Sequence, residues 1–162
     1  MTLSTRTIPS PVGELTLVAS DKGLTAILWE CDRGSDRVKL GATREDAGHP
    51  VLGAAARQIG EYFAGKRVAF DLPLDFRGTD FQKSVWGALL TIPFGETRSY
   101  AEIARQVGRP TAFRAVGAAN GKNPISIIAP CHRVIGTNGT LTGFAGGLEA
   151  KALLLRIEGR AA

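Results

Sequence analysis

The sequence predicts a small α/β unit, built on antiparallel strands and one helix, followed by a mostly α-helical domain. Three observations carry that prediction. Short apolar runs punctuated by Pro and Gly fill residues 5–29. From residue 79 onward, apolar positions recur at helical spacing behind two capping-box patterns. Charge changes at the same place: residues 1–78 carry ten Lys/Arg and ten Asp/Glu, and residues 79–162 carry ten and five. The whole excess of +5 therefore lies in the second half.

In the first half, residues 5–8, 14–19 and 24–29 read as strands, with turns at 9–13 and 21–23. Residues 31–48 are polar and read as an irregular loop that leaves His49 solvated. A helix is expected near 51–64, with Leu52, Ala55, Ile59 and Phe63 on its inner face and Gly65 ending it. Residues 68–74 read as a further strand. The boundary is expected at Phe76-Arg-Gly-Thr79, giving domains 1–76 and 77–162.

Thr79 with Gln82 opens the first helix of the second half, which places Phe81, Val85, Leu89 and Ile92 on one face. Ser99 with Glu102 opens a short helix ending at Val107-Gly108. After the connector Arg109-Pro-Thr111, with Thr111 as N-cap, another helix carries Ala112, Ala115, Val116 and Ala119 as its core stripe. Phe113, Arg114 and Gly117 point elsewhere. Two short helices joined by a tight turn fit a helix-turn-helix, and generic helical hairpins give the same pattern. A hairpin turn is expected at 136–139 and a glycine-rich loop at 141–147. The last helix, 148–158, turns Ala152 and Leu155 inward.

The chain is 44% hydrophobic and 22% charged, as soluble globular proteins are. No apolar run approaches the roughly 20 residues of a membrane span, and residues 1–7 have no apolar signal core, so a cytoplasmic protein is expected. Between Arg98 and Arg133 stand six basic residues and one acid, Glu102, a local charge that suits a polyanion such as DNA or RNA. Cys31 and Cys131 match no metal spacing, and only His49 and His132 could assist them, so neither a metal nor a cofactor is expected. Cys31 reads as a strand-end residue without chemistry.

Cys131 ends the apolar run 123–130, which reads as β-type, and has His132 beside it. A thiol becomes a good nucleophile when an imidazole takes its proton and a carboxylate orients that imidazole. Adjacent residues of an extended segment face opposite ways, so contact between Cys131 and His132 is expected to need a bridging water. Glu158 is the acid late in the last helix that could orient His132. By residue type alone a structural Cys-His pair stays open, as do a thiol hydrolase and a DNA-binding protein without chemistry.

Pro-Cys-His-Arg-Val at 130–134, Asn-Pro at 123–124, Gly-Gly-Leu at 146–148, Gly-Glu-Thr-Arg-Ser-Tyr at 95–100, Arg-Ala-Val-Gly at 114–117 and the ending at 153–159 together resemble the O6-alkylguanine-DNA alkyltransferases. The resemblance covers residues 79–159 closely and the first half in its order of elements. It implies a ribonuclease-H-like N-terminal α/β unit and a winged helix-turn-helix-like C-terminal domain. The implied function is direct-reversal repair: alkyl transfer from O6-alkylguanine, or O4-alkylthymine, in flipped-out DNA to Cys131, once per chain.

Cys131 would be the acceptor, His132 and Glu158 the proton relay through water, and Tyr100 the donor to the departing guanine. Asn123 would brace the active-site segment. Val134 would read the guanine amine edge, and Phe144 and Ala145 would line the pocket. Arg114 would fill the stack left by the flipped nucleotide, with Phe113, Ala115 and Gly117 beside it in the minor groove. The implied partner is double-stranded DNA bearing alkylated bases, met by a monomer with no membrane attachment. Two positions depart from the family pattern. Phe144 stands where tyrosine is frequent, losing a hydroxyl contact, and Phe113 stands where a small residue is usual.

Overall fold

The computed structural model describes residues 2–136 and 144–159. Strands β1 (Leu3–Ile8), β2 (Leu15–Ala19) and β3 (Leu24–Leu28) form the expected antiparallel meander. A fourth strand, β4 (Thr43–Glu45), lies in the segment expected to be irregular and pairs parallel with β1, giving the order β3-β2-β1-β4. All three of its residues are exposed, so no side-chain alternation announces it. Its position comes from the free edge of β1: Leu3 donates to the carbonyl of Ala42, and Asp46 donates to that of Thr5.

Helix α1 (Pro50–Phe63) covers one face of the sheet. His49 is its N-cap, Nδ1 accepting from the Val51 amide at 3.2 Å, so it is a capping residue and not merely solvated. Tyr62, and not Phe63, is the fully buried aromatic on α1. The strand expected at 68–74 is absent. That segment pairs with β3 only through an isolated bridge at Leu74, where Leu24 donates to the Pro73 carbonyl and Asp75 donates to that of Leu24. Pro73 has no amide hydrogen to extend the ladder.

In the second half, α2 (Asp80–Leu89) and α3 (Tyr100–Gln106) begin at the predicted capping boxes. Thr79 Oγ1 accepts from the Gln82 amide at 3.1 Å, and Gln82 Oε1 accepts from that of Thr79 at 3.0 Å. Ser99 and Glu102 repeat the exchange. Helix α4 (Phe113–Gly121) starts one residue late, with Ala112 as N-cap and no side-chain bond from Thr111. Val116, Ala119 and Asn120 are its buried residues; Ala115 is exposed and does not belong to the core stripe. Helix α5 (Leu148–Ile157) buries Ala150, Lys151, Leu154 and Leu155, leaving Ala152 half-buried, and Glu158 is its C-cap. The hairpin turn expected at 136–139, beyond Gly136, and residues 141–143 of the glycine-rich loop lie outside the described residues.

The two larger apolar clusters among the described residues organise the molecule. One joins the sheet and α1 to Ile125, Ile127, Ile128, Ala150 and Leu154, so second-half residues complete the first unit's core. The other packs α2, α3 and α4 around Cys131 and Val134. The segment carrying the cysteine lies between them.

Candidate active site

Residues 123–130 approach Cys131 by a tight turn and not by the strand their composition suggests. Ile125 makes a single parallel bridge to Ile27 of β3, with the Ile27 amide donating to the Pro124 carbonyl at 2.8 Å. The chain then reverses. Asn123 Nδ2 donates to the Ala129 carbonyl at 2.8 Å, and its Oδ1 accepts from the Ile125 amide at 3.1 Å. One side chain therefore spans the turn. Within it Ile127 has φ 74°, the only positive value among the described non-glycine residues. Such a backbone is costly for a β-branched residue, on the order of 1–3 kcal/mol, and persists only where packing and hydrogen bonds dictate it. Ile127 is buried, and the Asn123 clamp closes around it.

Cys131–Arg133 then form one turn of 3-10 helix, not an extended pair. His132 is directed to Glu158, with Nε2 2.8 Å from Oε2. The same carboxylate accepts from the Tyr62 hydroxyl at 2.6 Å, from Arg133 Nε at 2.7 Å and from Arg133 Nη2 at 3.0 Å. Arg133 also donates to the Ile92 carbonyl at 2.6 Å. It is 6% exposed, so it belongs to this buried cluster and leaves the exposed basic patch by one member.

Burial opposes ionisation of Glu158. Hydrogen bonds from His132, Arg133 and Tyr62 overcome that and hold its carboxyl at about 2. An ionised carboxylate only accepts, so His132 Nε2 carries the ring proton and Nδ1 is left as a lone-pair acceptor. Among the described residues, Nδ1 is buried and has no protein partner. Burial also lowers the His132 pKa, against the opposing pull of Glu158, so the imidazole rests neutral. Its free nitrogen is a base in waiting.

The Cys131 thiol is 2% exposed. Burial pushes its pKa up, while hydrogen bonds from Asn123 and Ser126 and the positive charges of Arg37 and Lys151 pull it down. Lys151 is buried and donates to the Val134 carbonyl at 2.7 Å; desolvation drops it to about 8, partly offset by Cys131. The resting sulfur is a thiol surrounded by groups that favour its anion.

Some of the remaining predicted residues converge on this point, and those of α4 do not. Strand β5 (Arg98–Ser99) pairs parallel with β6 (Val134–Ile135), which brings Tyr100, the first residue of α3, beside the segment that follows Cys131. Tyr100 and Phe144 pack against the cluster that holds Cys131 and Val134. Gly117 faces the Tyr100 ring, where an added Cβ would lie 3.8 Å away. Ala145 accepts from the Cys31 thiol at 2.9 Å, so Cys31, exposed in a 3-10 turn, is a contact to the pocket segment and not an idle strand end. Arg114, Ala115 and Phe113 are exposed on α4, with Phe113 half-exposed at 50%. They lie on the outer face of the helix-turn-helix made by α3 and α4, away from the thiol.

Two family models match the chain: the ribonuclease-like domain of 6-O-methylguanine DNA methyltransferase over residues 3–76, and its DNA binding domain over residues 80–160. The chain belongs to the 6-O-methylguanine DNA methyltransferase family. It is 51% identical over 155 residues to the methylated-DNA–protein-cysteine methyltransferase of Mycolicibacterium paratuberculosis, covering 96% of this chain and 92% of that one. It is 50% identical over 151 residues to that of Methanosarcina barkeri, covering 93% and 94%. The crystal structure of Mycobacterium tuberculosis OGT in complex with DNA superposes with a TM-score of 0.85 at 49% identity, covering 98% of this chain and 92% of that one. Both halves of the fold are therefore those of the methyltransferase family.

Sequence reasoning for this family member missed Tyr62 and Arg133 as holders of Glu158, Lys151 beside the thiol, and Ser126. Lys151 carried a signal: its neighbours Ala150 and Leu154 make its face of α5 the apolar one. The others depend on long-range contacts.

The Glu158 cluster predicts acid sensitivity. Its carboxyl is depressed in the fold, so its stabilisation is complete above the unfolded value near 4.5 and is lost as pH falls toward about 2. That loss is on the order of 3 kcal/mol. His132, also depressed, acts in the same sense below its unfolded 6.5. Urea midpoints are expected to fall steadily from pH 6.5 to 3. A flat profile over that range contradicts the cluster.

Proposed function

We propose that the chain carries out the reaction its family is named for, with Cys131 as acceptor of an alkyl group from O6 of guanine. The observation that carries this reading is the buried His132 Nδ1, held unprotonated by Glu158 in the residue next to the thiol. The Cys131 proton passes to Nδ1, through a water, and the resulting imidazolium is stabilised by the Glu158 carboxylate. The sulfur anion attacks the alkyl carbon; the S–C bond forms as the C–O6 bond breaks, and the electron pair goes to the guanine. Tyr100 donates a proton to that departing base, and the tyrosinate is reprotonated from solvent.

The product is a thioether, a poor leaving group at neutral pH. Cys31 is the one other cysteine, and it is occupied with the Ala145 carbonyl. One chain therefore repairs one lesion. With a duplex bearing O6-methylguanine, methyl transfer is expected to rise to one equivalent per chain and stop. Continued release of product at many equivalents would favour a hydrolase and overturn the reading.

The partner in this reading is double-stranded DNA with an alkylated base, approached through its minor groove by a monomer. The exposed Ala115 and Ala118 of α4 support close approach of that helix, and Arg114 supplies the side chain that replaces the extruded nucleotide. Arg114→Ala is expected to slow transfer from duplex DNA about tenfold to a hundredfold, since extrusion costs a few kcal/mol. Transfer from the same lesion in a single strand should change little. Equal losses on both substrates would remove Arg114 from extrusion.

Val134, Phe144 and Ala145 form the base and alkyl pocket in this proposal. The division between the two units falls after residue 76. No described helix is long and apolar enough to cross a membrane. The repair reading itself places the chain in the cytoplasm, with the DNA it acts on.

A further inference from the structure

Tyr62 lies on α1, in the N-terminal unit, and is fully buried. Its hydroxyl donates to Glu158 Oε2 at 2.6 Å across 96 residues of chain. That length is typical of a strong, charge-assisted O–H···O bond. The same oxygen faces His132 Nε2 at 2.8 Å and accepts from Arg133 Nη2 at 3.0 Å, while Oε1 accepts from Arg133 Nε at 2.7 Å. One carboxylate oxygen therefore serves three donors. Two come from the turn that carries the thiol, and the third comes from α1.

The Tyr62 ring packs against Phe70 and Phe94, with centroids 5.6 Å and 6.3 Å away. Packing of that kind would be served by phenylalanine, which lacks only the hydroxyl. Burial and the adjacent carboxylate both raise the phenol well above its ordinary pKa, so the hydroxyl stays a donor across the working pH range.

The titratable and charged groups around His132 come from three elements. Glu158, at the end of α5, favours the imidazolium, while Arg133 in the same turn and Lys151 on α5 oppose it. Cys131 precedes it as a thiol, and Tyr62 reaches it only through Glu158 Oε2. Negative charge on that oxygen is what would stabilise a protonated ring, and a second strong donor there draws part of it away.

We infer that Tyr62 is a positioning residue of the N-terminal unit: by occupying Glu158 Oε2 it limits the pull of that oxygen on His132, and so sets the pH above which the imidazole can take the Cys131 proton. Tyr62 keeps its own hydrogen throughout. The inference rests on His132 being the base of the proposed function. It gives the N-terminal unit, which supplies no reacting group in this reading, a part in the chemistry.

The chain holds two histidines, His49 and His132, so one His49→Gln control assigns the NMR signal of His132 in carbon-labelled protein. The test titrates that signal in the parent, in Tyr62→Phe and in protein with a ring-fluorinated tyrosine placed at position 62. The pH profile of single-turnover methyl transfer from an O6-methylguanine duplex is measured on the same three. Tyr62→Phe is expected to raise the His132 pKa by about one unit, the size of one hydrogen bond to a charged group. The ascending limb of transfer should move up with it, slowing transfer in mild acid by up to about tenfold. Fluorination makes the phenol a stronger donor and should move both readings the opposite way. It also keeps the test decisive should Tyr62→Phe fail to fold.

A His132 titration that stays in place, or that moves the same way in both variants, overturns the inference and returns Tyr62 to packing. A His132 pKa that shifts while the transfer limb stays put overturns the relay itself, because the imidazole would then not be the base.

Discussion

Cys131→Ser is expected to abolish alkyl transfer while leaving affinity for the lesion duplex intact. Serine has nearly the same shape, so it fits the same buried position. A hydroxyl, though, ionises far less readily than a thiol, and one neutral imidazole with an orienting carboxylate does not offset that in an alkyl displacement. In the proposed reading the DNA contacts lie on α4, whose exposed Phe113, Arg114 and Ala115 are untouched by the change. Single-turnover transfer and duplex binding, measured on the same preparation, separate the two functions. Residual transfer would point to a different acceptor, with exposed Cys31 the first to examine. Loss of binding together with transfer would make Cys131 a packing residue of its cluster.

Glu158→Gln should produce the largest loss of stability. The carboxylate receives His132, Tyr62 and both Arg133 contacts, all buried. Neutralising it leaves the Arg133 guanidinium without a counter-charge, a cost of about 3–5 kcal/mol. For a chain of this length that lowers Tm by roughly 6–20 °C. Transfer should also slow by about a hundredfold or more, since the imidazolium formed during proton removal loses its stabiliser. The double change Glu158→Gln with Arg133→Met removes both charges and should recover part of the stability but none of the rate. Recovery of both would reduce Glu158 to a structural partner of Arg133. Thermal melts paired with single-turnover rates on the three proteins decide between these outcomes.

The parts of this site that are local in sequence were legible in it. Thr79 with Gln82 and Ser99 with Glu102 set the starts of α2 and α3 because a capping box is a contact between residues three apart. The motif around Cys131 pointed to the nucleophile, and Glu158 was the one acid placed to serve His132. The failures share the opposite property. β4 exists because β1 offers an edge, not because Thr43, Arg44 and Glu45 alternate. Residues 68–74 have strand composition, yet Pro73 and the single bridge at Leu74 leave them outside the sheet. The run before Cys131 is rich in isoleucine and has the composition of a strand. The Asn123 clamp and the positive φ of Ile127 make it a turn. Arg133 was counted with the exposed basic residues because a sequence does not show that a guanidinium lies between a carboxylate 25 residues away and the Ile92 carbonyl.

The central claim is that Cys131 takes the alkyl group permanently, and one measurement addresses it most directly. Purified protein is incubated with a duplex carrying a single O6-methylguanine, and the intact and peptide masses are taken. The account predicts one added methyl per chain, confined to the Cys131 peptide, with the guanine restored in the duplex. An unmodified Cys131 with the lesion still bound, or a methyl on any other residue, would contradict it.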